Sequence, residues 1–233
     1  MDPRLGVLAF GDSITNGGGE LQWGVALQSW ALWTARGLGV PYTGCAVDGA
    51  SAAHVVAVQI PRFRATAAAP DARYDVGCLY VGVNDVRAAG WDPAAYDRDL
   101  RAALAFLGAR CDRRVACTLP LDLGRPRAGR TVEHANALIE RAAAEHGALV
   151  VDLRGFGARN RVMVDAVHPT AFGQIAIAER ALDVLEADGM TVRVRPHTLI
   201  PYETTRRRRL RGDATYAYRQ AKQAFRIALA RRT

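Results

Sequence analysis

The sequence predicts an α/β fold in which a parallel sheet is covered by helices on both faces. Three observations carry that expectation. Short runs that are apolar on both faces alternate with longer stretches of helical periodicity. Those runs are bounded by Gly, Pro, Asp or Asn, as strands buried on two sides are. Finally, the chain has 233 residues and is 50% hydrophobic, enough to build one substantial core without disulfide staples.

Leu5–Phe10 reads as the first strand. Gln22–Leu38 follows as a helix and Tyr42–Val47 as the second strand. Ser51–Gln59 is the next helix, although its Val55-Val56 pair suits an extended chain as well. Val76–Val81 is the third strand. The helix over Pro93–Ala109 has a clear start, since Asp92 is a capping residue and proline stands at the first helical position. Val115–Leu119 is the fourth strand and Leu149–Leu153 the fifth. Val132–His146 lies between them as a helix with Thr131 as its cap, and Ala171–Ala187 closes the series with Thr170 as its cap. Such alternation implies right-handed crossovers between parallel strands. A ligand site then belongs just beyond the carboxyl ends of the strands.

The net charge of +8 is unevenly placed. Residues 193–233 hold eleven Arg and Lys222 against Glu203 and Asp213, a net +10, which leaves 19 cations against 21 carboxylates, −2, for the body. This divides the chain into a body over 1–192 and a basic extension over 193–233. In the extension, Ala214–Arg232 reads as an amphipathic helix with Tyr218, Ala221, Phe225 and Leu229 on one face. The four cysteines, Cys45, Cys78, Cys111 and Cys117, form no C-x-x-C pair and read as reduced thiols. The amino terminus lacks the apolar region of a signal peptide, and no stretch approaches a membrane span. These features point to a cytoplasmic protein.

Four motifs carry chemistry. Phe10-Gly11-Asp12-Ser13 follows the first strand and presents a serine at a tight turn. Asp165-Ala166-Val167-His168-Pro169 precedes the last helix. Its carboxylate stands three residues from the imidazole, close enough to fix its tautomer and leave the other ring nitrogen free to deprotonate a serine. Gly82-Val83-Asn84-Asp85 follows the third strand and offers an amide to an oxyanion. Asp48-Gly49-Ala50-Ser51 follows the second strand and offers a backbone N–H. Each taken alone has an ordinary structural explanation, as a helix cap, a surface histidine or a turn. Their common position beyond one sheet edge favours a site. His54, His134, His146 and His197 have no sequence partner of this kind and read as structural or solvated. The chain lacks a P-loop, a G-x-G-x-x-G, an H-E-x-x-H and zinc-type Cys/His spacing, so no metal and no organic cofactor are expected.

These blocks, in this order over about residues 5–187, resemble the SGNH (GDSL-type) serine ester hydrolases. The resemblance implies a flavodoxin-like three-layer α/β/α sandwich with a five-stranded parallel sheet. It implies Ser13 as nucleophile, His168 as base and Asp165 as the group orienting it. It also implies an oxyanion hole made of the Ser13 N–H, the Gly49 N–H and the Asn84 amide. Where the family often has Gly after the Asp of the last block, this chain has Ala166. The function expected is hydrolysis of carboxylic esters, with short acyl or O-acetyl groups suggested by the short connections between motifs and a small-molecule or glycan ester as substrate. Thioesterase and acyltransferase activities suit the same residues. For the basic extension three roles stand side by side: a helix packed on the body, attachment to an acidic membrane surface or acidic partner, and nucleic-acid binding, the last being the least favoured. In the extreme case the body would be a degenerate hydrolase fold used only for binding. The intact Ser13, His168, Asp165 and Asn84 set argues against that.

Overall fold

The apolar runs fall in strands β1 (Val7–Gly11), β2 (Tyr42–Gly44), β3 (Tyr74–Tyr80), β4 (Cys111–Cys117) and β5 (Leu149–Val151), of which β4 starts four residues before the run read at Val115–Leu119, through the charged Asp112-Arg113-Arg114. They form one all-parallel sheet in the order β2-β1-β3-β4-β5. The computed structural model describes residues 4–22, 25–66, 72–157 and 160–200, with ten further positions between 207 and 225. Helices α1 (Trp30–Leu38) and α6 (Ala171–Ala187) pack against each other, and α4 (Pro93–Arg110) packs against α5 (Arg130–Glu145) and α2 (Ala52–His54). The result is the expected three-layer α/β/α sandwich. On one sheet face, Phe10 of β1 meets Phe63 and Phe106 edge to face, with ring centroids 5.9 and 5.8 Å apart. On the other, the fully buried Trp30 meets Tyr80. Burial of this core is the main favourable term for folding.

The strand order places a topological switch between β1 and β3. From β1 the chain crosses outward to β2, then returns to the far side of β1 to form β3, leaving a crevice at their carboxyl ends. In register, Gly11 lies opposite Tyr80. The Ser13 turn and the Asn84 turn therefore emerge side by side.

Three expectations need correction. The helix read as Gln22–Leu38 begins only at Trp30, because the Ser29 side chain caps it and the Trp30 N–H donates to the Gln174 side chain instead of within a longer helix. The helix read as Ser51–Gln59 does not stop ahead of Pro61. It widens into a π turn over Val55–Gln59, with Ile60 N–H donating to Val55 O, and continues as α3 (Ile60–Thr66). The wider turn relieves the clash that a proline ring makes with an α-helical backbone. Thr131 is not the cap of α5. Gly129 holds that position, and the Thr131 hydroxyl instead donates to Ala128 O at 2.7 Å. By contrast, Asp92 and Thr170 cap α4 and α6 as expected.

Residues 193–200 fold back on the body. Arg193 and Val194 N–H donate to Gly37 O, and Arg195 pairs with Asp183, Glu179 and Glu186. The helix expected over Ala214–Arg232 lies mostly outside the described residues; the positions described there, Tyr218 and Phe225 among them, are helical and exposed. All four cysteines are free. Cys78, Cys111 and Cys117 are buried, and burial pushes the Cys111 thiol up to about 12. No helix among the described residues is long and apolar enough to cross a membrane.

Candidate active site

The turn after β1 is shaped by its own side chains. Asp12 is fully buried, and its Oδ1 accepts the Ile14 N–H at 2.9 Å, closing the turn that presents Ser13. Gly11 has φ +151°, and a Cβ there would lie 2.3 Å from Tyr80 O, so only glycine lets β1 and β3 close up at this point. Two buried glutamines brace the turn. Gln59, on the π turn, accepts from Gly11 N–H at 3.2 Å and donates to Gly11 O at 2.8 Å. Gln174, on α6, donates to Ile14 O at 2.9 Å and Gly18 O at 3.0 Å.

The loop ahead of α6 delivers the second group. Asp165 Oδ1 accepts the N–H groups of Val167 (2.9 Å) and His168 (3.1 Å), and its Oδ2 lies 2.7 Å from His168 Nδ1. His168 Nε2 lies 2.9 Å from Ser13 Oγ. The structure thus brings together Ser13, His168 and Asp165, 155 residues apart in sequence at their widest, in one hydrogen-bonded line. Ala166 sits at φ +55°, the left-handed region that favours glycine, and its departure from the family pattern leaves this geometry intact.

Gly49 and Asn84 reach the same sheet edge. Val47 N–H donates to Gly11 O, setting the second loop beside the Ser13 turn, and Gly49 follows with φ +76° and open space around it. The Asn84 amide donates to Ala50 O at 3.0 Å, which ties the third loop to the second. An amide nitrogen carries two hydrogens, so one is left for a ligand. A cavity of about 180 Å³ opens beside Asn84, lined by Ser51, Asp85, Trp91, Tyr96 and Asp99 among others.

The charges are coupled. The hydrogen bond to Asp165 raises the His168 pKa above its usual 6.5, against partial burial, with the charges of Asp165 and Asp12 adding and that of Arg87 opposing. Burial pushes the Asp165 carboxyl up, but the bonds from the His168 ring and from the two backbone N–H groups outweigh it and hold the group low. Asp12 is pushed up to about 7 by burial, eased by the Ile14 N–H and by His168. Its Oδ2 is buried without a hydrogen-bond partner.

Among the remaining histidines, His197 departs from expectation. Its Nδ1 lies 2.7 Å from Glu179, so it does have a carboxylate partner, though on the docked 193–200 segment and not at this site. No group of three or more His, Cys, Asp or Glu among the described residues is placed to hold a metal ion. Sequence reasoning missed Gln59 and Gln174. The one signal for each is a glutamine set among apolar helical neighbours.

With this geometry in hand, the chain can be compared with known proteins. Residues 9–176 match the GDSL-like lipase/acylhydrolase family. Among solved structures, the chain resembles LAE5, an alpha/beta hydrolase enzyme from the metagenome of Lake Arreo, Spain. The identity is 18% with a TM-score of 0.61, over 80% of this chain and 97% of that one. It also resembles a catalytic mutant of an acetylxylan esterase from Geobacillus stearothermophilus, at 19% identity and a TM-score of 0.63, over 84% of this chain and 99% of that one. At these identities the likeness concerns the fold. No curated protein sequence matches the chain.

Proposed function

We propose that this chain, which belongs to the GDSL-like lipase/acylhydrolase family and is a hydrolase of ester bonds, works through an acyl-enzyme formed on Ser13. The observation that carries this reading is the line Ser13 Oγ to His168 Nε2 at 2.9 Å and His168 Nδ1 to Asp165 at 2.7 Å. It is the geometry that nucleophile activation requires. His168 takes the Ser13 proton as Oγ attacks the ester carbonyl. The Asn84 amide and the N–H groups of Ser13 and Gly49 receive the developing oxyanion. His168 then protonates the leaving alcohol, and a water activated by the same imidazole releases the acid.

A short acyl group, acetyl above all, is the substrate feature we favour. The cavity beside Asn84, about 180 Å³ and lined by Trp91, Tyr96 and three alanines as well as carboxylates, has room for a short acyl group but not for a long aliphatic chain. The acetylxylan esterase neighbours support an O-acetylated glycan as one such substrate. We assign the chemistry to residues 1–192 and treat 193–233 as an appendage. The four reduced, mostly buried thiols support a cytoplasmic setting.

The test is hydrolysis of p-nitrophenyl esters from acetate to dodecanoate by the wild type beside Ser13→Ala. Turnover that is highest on acetate and lost in the variant is expected. Equal rates in the two proteins would remove Ser13 from the mechanism.

A further inference from the structure

We propose that the natural ester carries an anionic oxygen group, a carboxylate or phosphate, which Arg87 binds at the rim of the site; this rests on the reading of Ser13 as the nucleophile. Arg87 follows the Asn84 turn and is exposed. Its side chain runs along Gly124, where an added Cβ would lie 3.4 Å from Nε and 3.7 Å from Cδ. Gly124 N–H in turn donates to Ala166 O at 2.8 Å, inside the loop that carries Asp165 and His168. The side chain therefore lies on the rim one loop away from the catalytic histidine, near enough for its charge to act weakly on that ring.

Two facts bear on what Arg87 can bind. First, among the described residues it has no ion pair or hydrogen bond, whereas Arg125 and Arg127 beside Gly124 share Asp122 at 2.8 and 2.5 Å. The rim at Arg87, Asp122, Arg125 and Arg127 thus sets three cations against one carboxylate. Second, a free cation beside a general base disfavours the imidazolium that the reaction forms. Such a group is a handicap to catalysis until an anion of the substrate meets it. The carboxylates of the cavity beside Asn84 would repel that anion, so it extends the other way, over Gly124. Guanidinium matches the oxygen pair of a carboxylate or phosphate in a fork geometry.

The experiment compares kcat/KM on acetyl esters of phenols of similar acidity: neutral 4-acetoxybenzamide, 4-acetoxybenzoate with a carboxylate, and 4-acetoxyphenyl phosphate. Wild type, Arg87→Ala, Arg87→Lys and Ser13→Ala are assayed at low and high salt. Wild type is expected to favour at least one anionic ester, and added salt should erode that preference. Arg87→Ala should lower the anionic-to-neutral ratio about ten- to hundredfold, with partial retention in Arg87→Lys. Which anionic ester responds tells carboxylate from phosphate. A ratio that is the same in wild type and Arg87→Ala, or a wild-type preference for the neutral ester, overturns this proposal while Ser13-dependent turnover leaves the acyl-enzyme reading standing. Turnover that survives Ser13→Ala, or none on any ester, overturns both.

Discussion

Asp12→Asn should make the protein more stable as the pH rises, relative to wild type. Asp12 is fully buried beside Ser13, accepts one N–H through Oδ1, and leaves Oδ2 without a partner. Burial raises its pKa from 3.8 to about 7. The folded state therefore holds this proton more tightly than the unfolded chain does, and stability falls as pH climbs from the unfolded to the folded value. Each unit corresponds to about 1.4 kcal/mol. Between pH 5 and pH 7 the wild type should lose about 2 kcal/mol from this group alone, and about 3 kcal/mol by pH 8. The asparagine keeps the oxygen that receives Ile14 N–H and has no charge to desolvate. Its NH₂ group lacks an acceptor, at a cost of about 1–3 kcal/mol, but that cost is the same at every pH. Urea unfolding of both proteins from pH 5 to 8 isolates the difference. A stability gap that grows by about 3 kcal/mol over this range is expected; a gap constant to within about 0.5 kcal/mol would refute a buried, proton-holding Asp12. Where Asp12 is ionised, near and above pH 7, its charge supports His168 as imidazolium, so the substitution should move the acid limb of kcat/KM to lower pH.

Two further outcomes test the catalytic line. Asp165→Asn should cost roughly 10⁴-fold in kcat by losing control of the His168 tautomer. It should also lower the His168 pKa, whose first cause is the bond to Asp165, so the acid limb, expected above 6.5 in wild type, should move down; a pH–rate profile of the residual activity reads both. Asn84→Ala should cost about 10²–10³ in kcat on a short acyl ester, and a loss under about tenfold would remove Asn84 from the oxyanion hole.

The motif residues were legible because each declares its chemistry locally. A serine directly after an apolar strand, and an Asp three residues ahead of a His before a capped helix, constrain geometry within a few residues. The elements misjudged are those whose ends are decided by distant partners. Trp30 starts its helix where Gln174, 144 residues away, takes its N–H, and nothing near Gln22 signals this. The helix read as ending at Gln59 runs on through Pro61, because the chain widens to a π turn that also keeps Gln59 on Gly11. Thr131 has the chemistry of a cap, but its hydroxyl is spent on Ala128 and Val86 carbonyls. The same limit hid the Glu179 partner of His197, 18 residues away and on another element. Arg87 carried no sequence signal at all. Its standing depends on Gly124 making room and on which neighbouring arginines find carboxylates, both properties of the folded chain.

The glutamine braces have a consequence for how such a chain can change. Gln59 grips both polar groups of Gly11, as a neighbouring strand would, and Gln174 does the same work from the opposite layer on Ile14 and Gly18. The position of Ser13 is thereby set by the interior, from two helices on opposite faces of the sheet. The surface that meets the alcohol can then be rebuilt, by lengthening the turn after Asn84 or recharging the loop around Gly124, without moving the serine. A lineage built this way can shift from one ester to another through its loops while inheriting the turn unchanged.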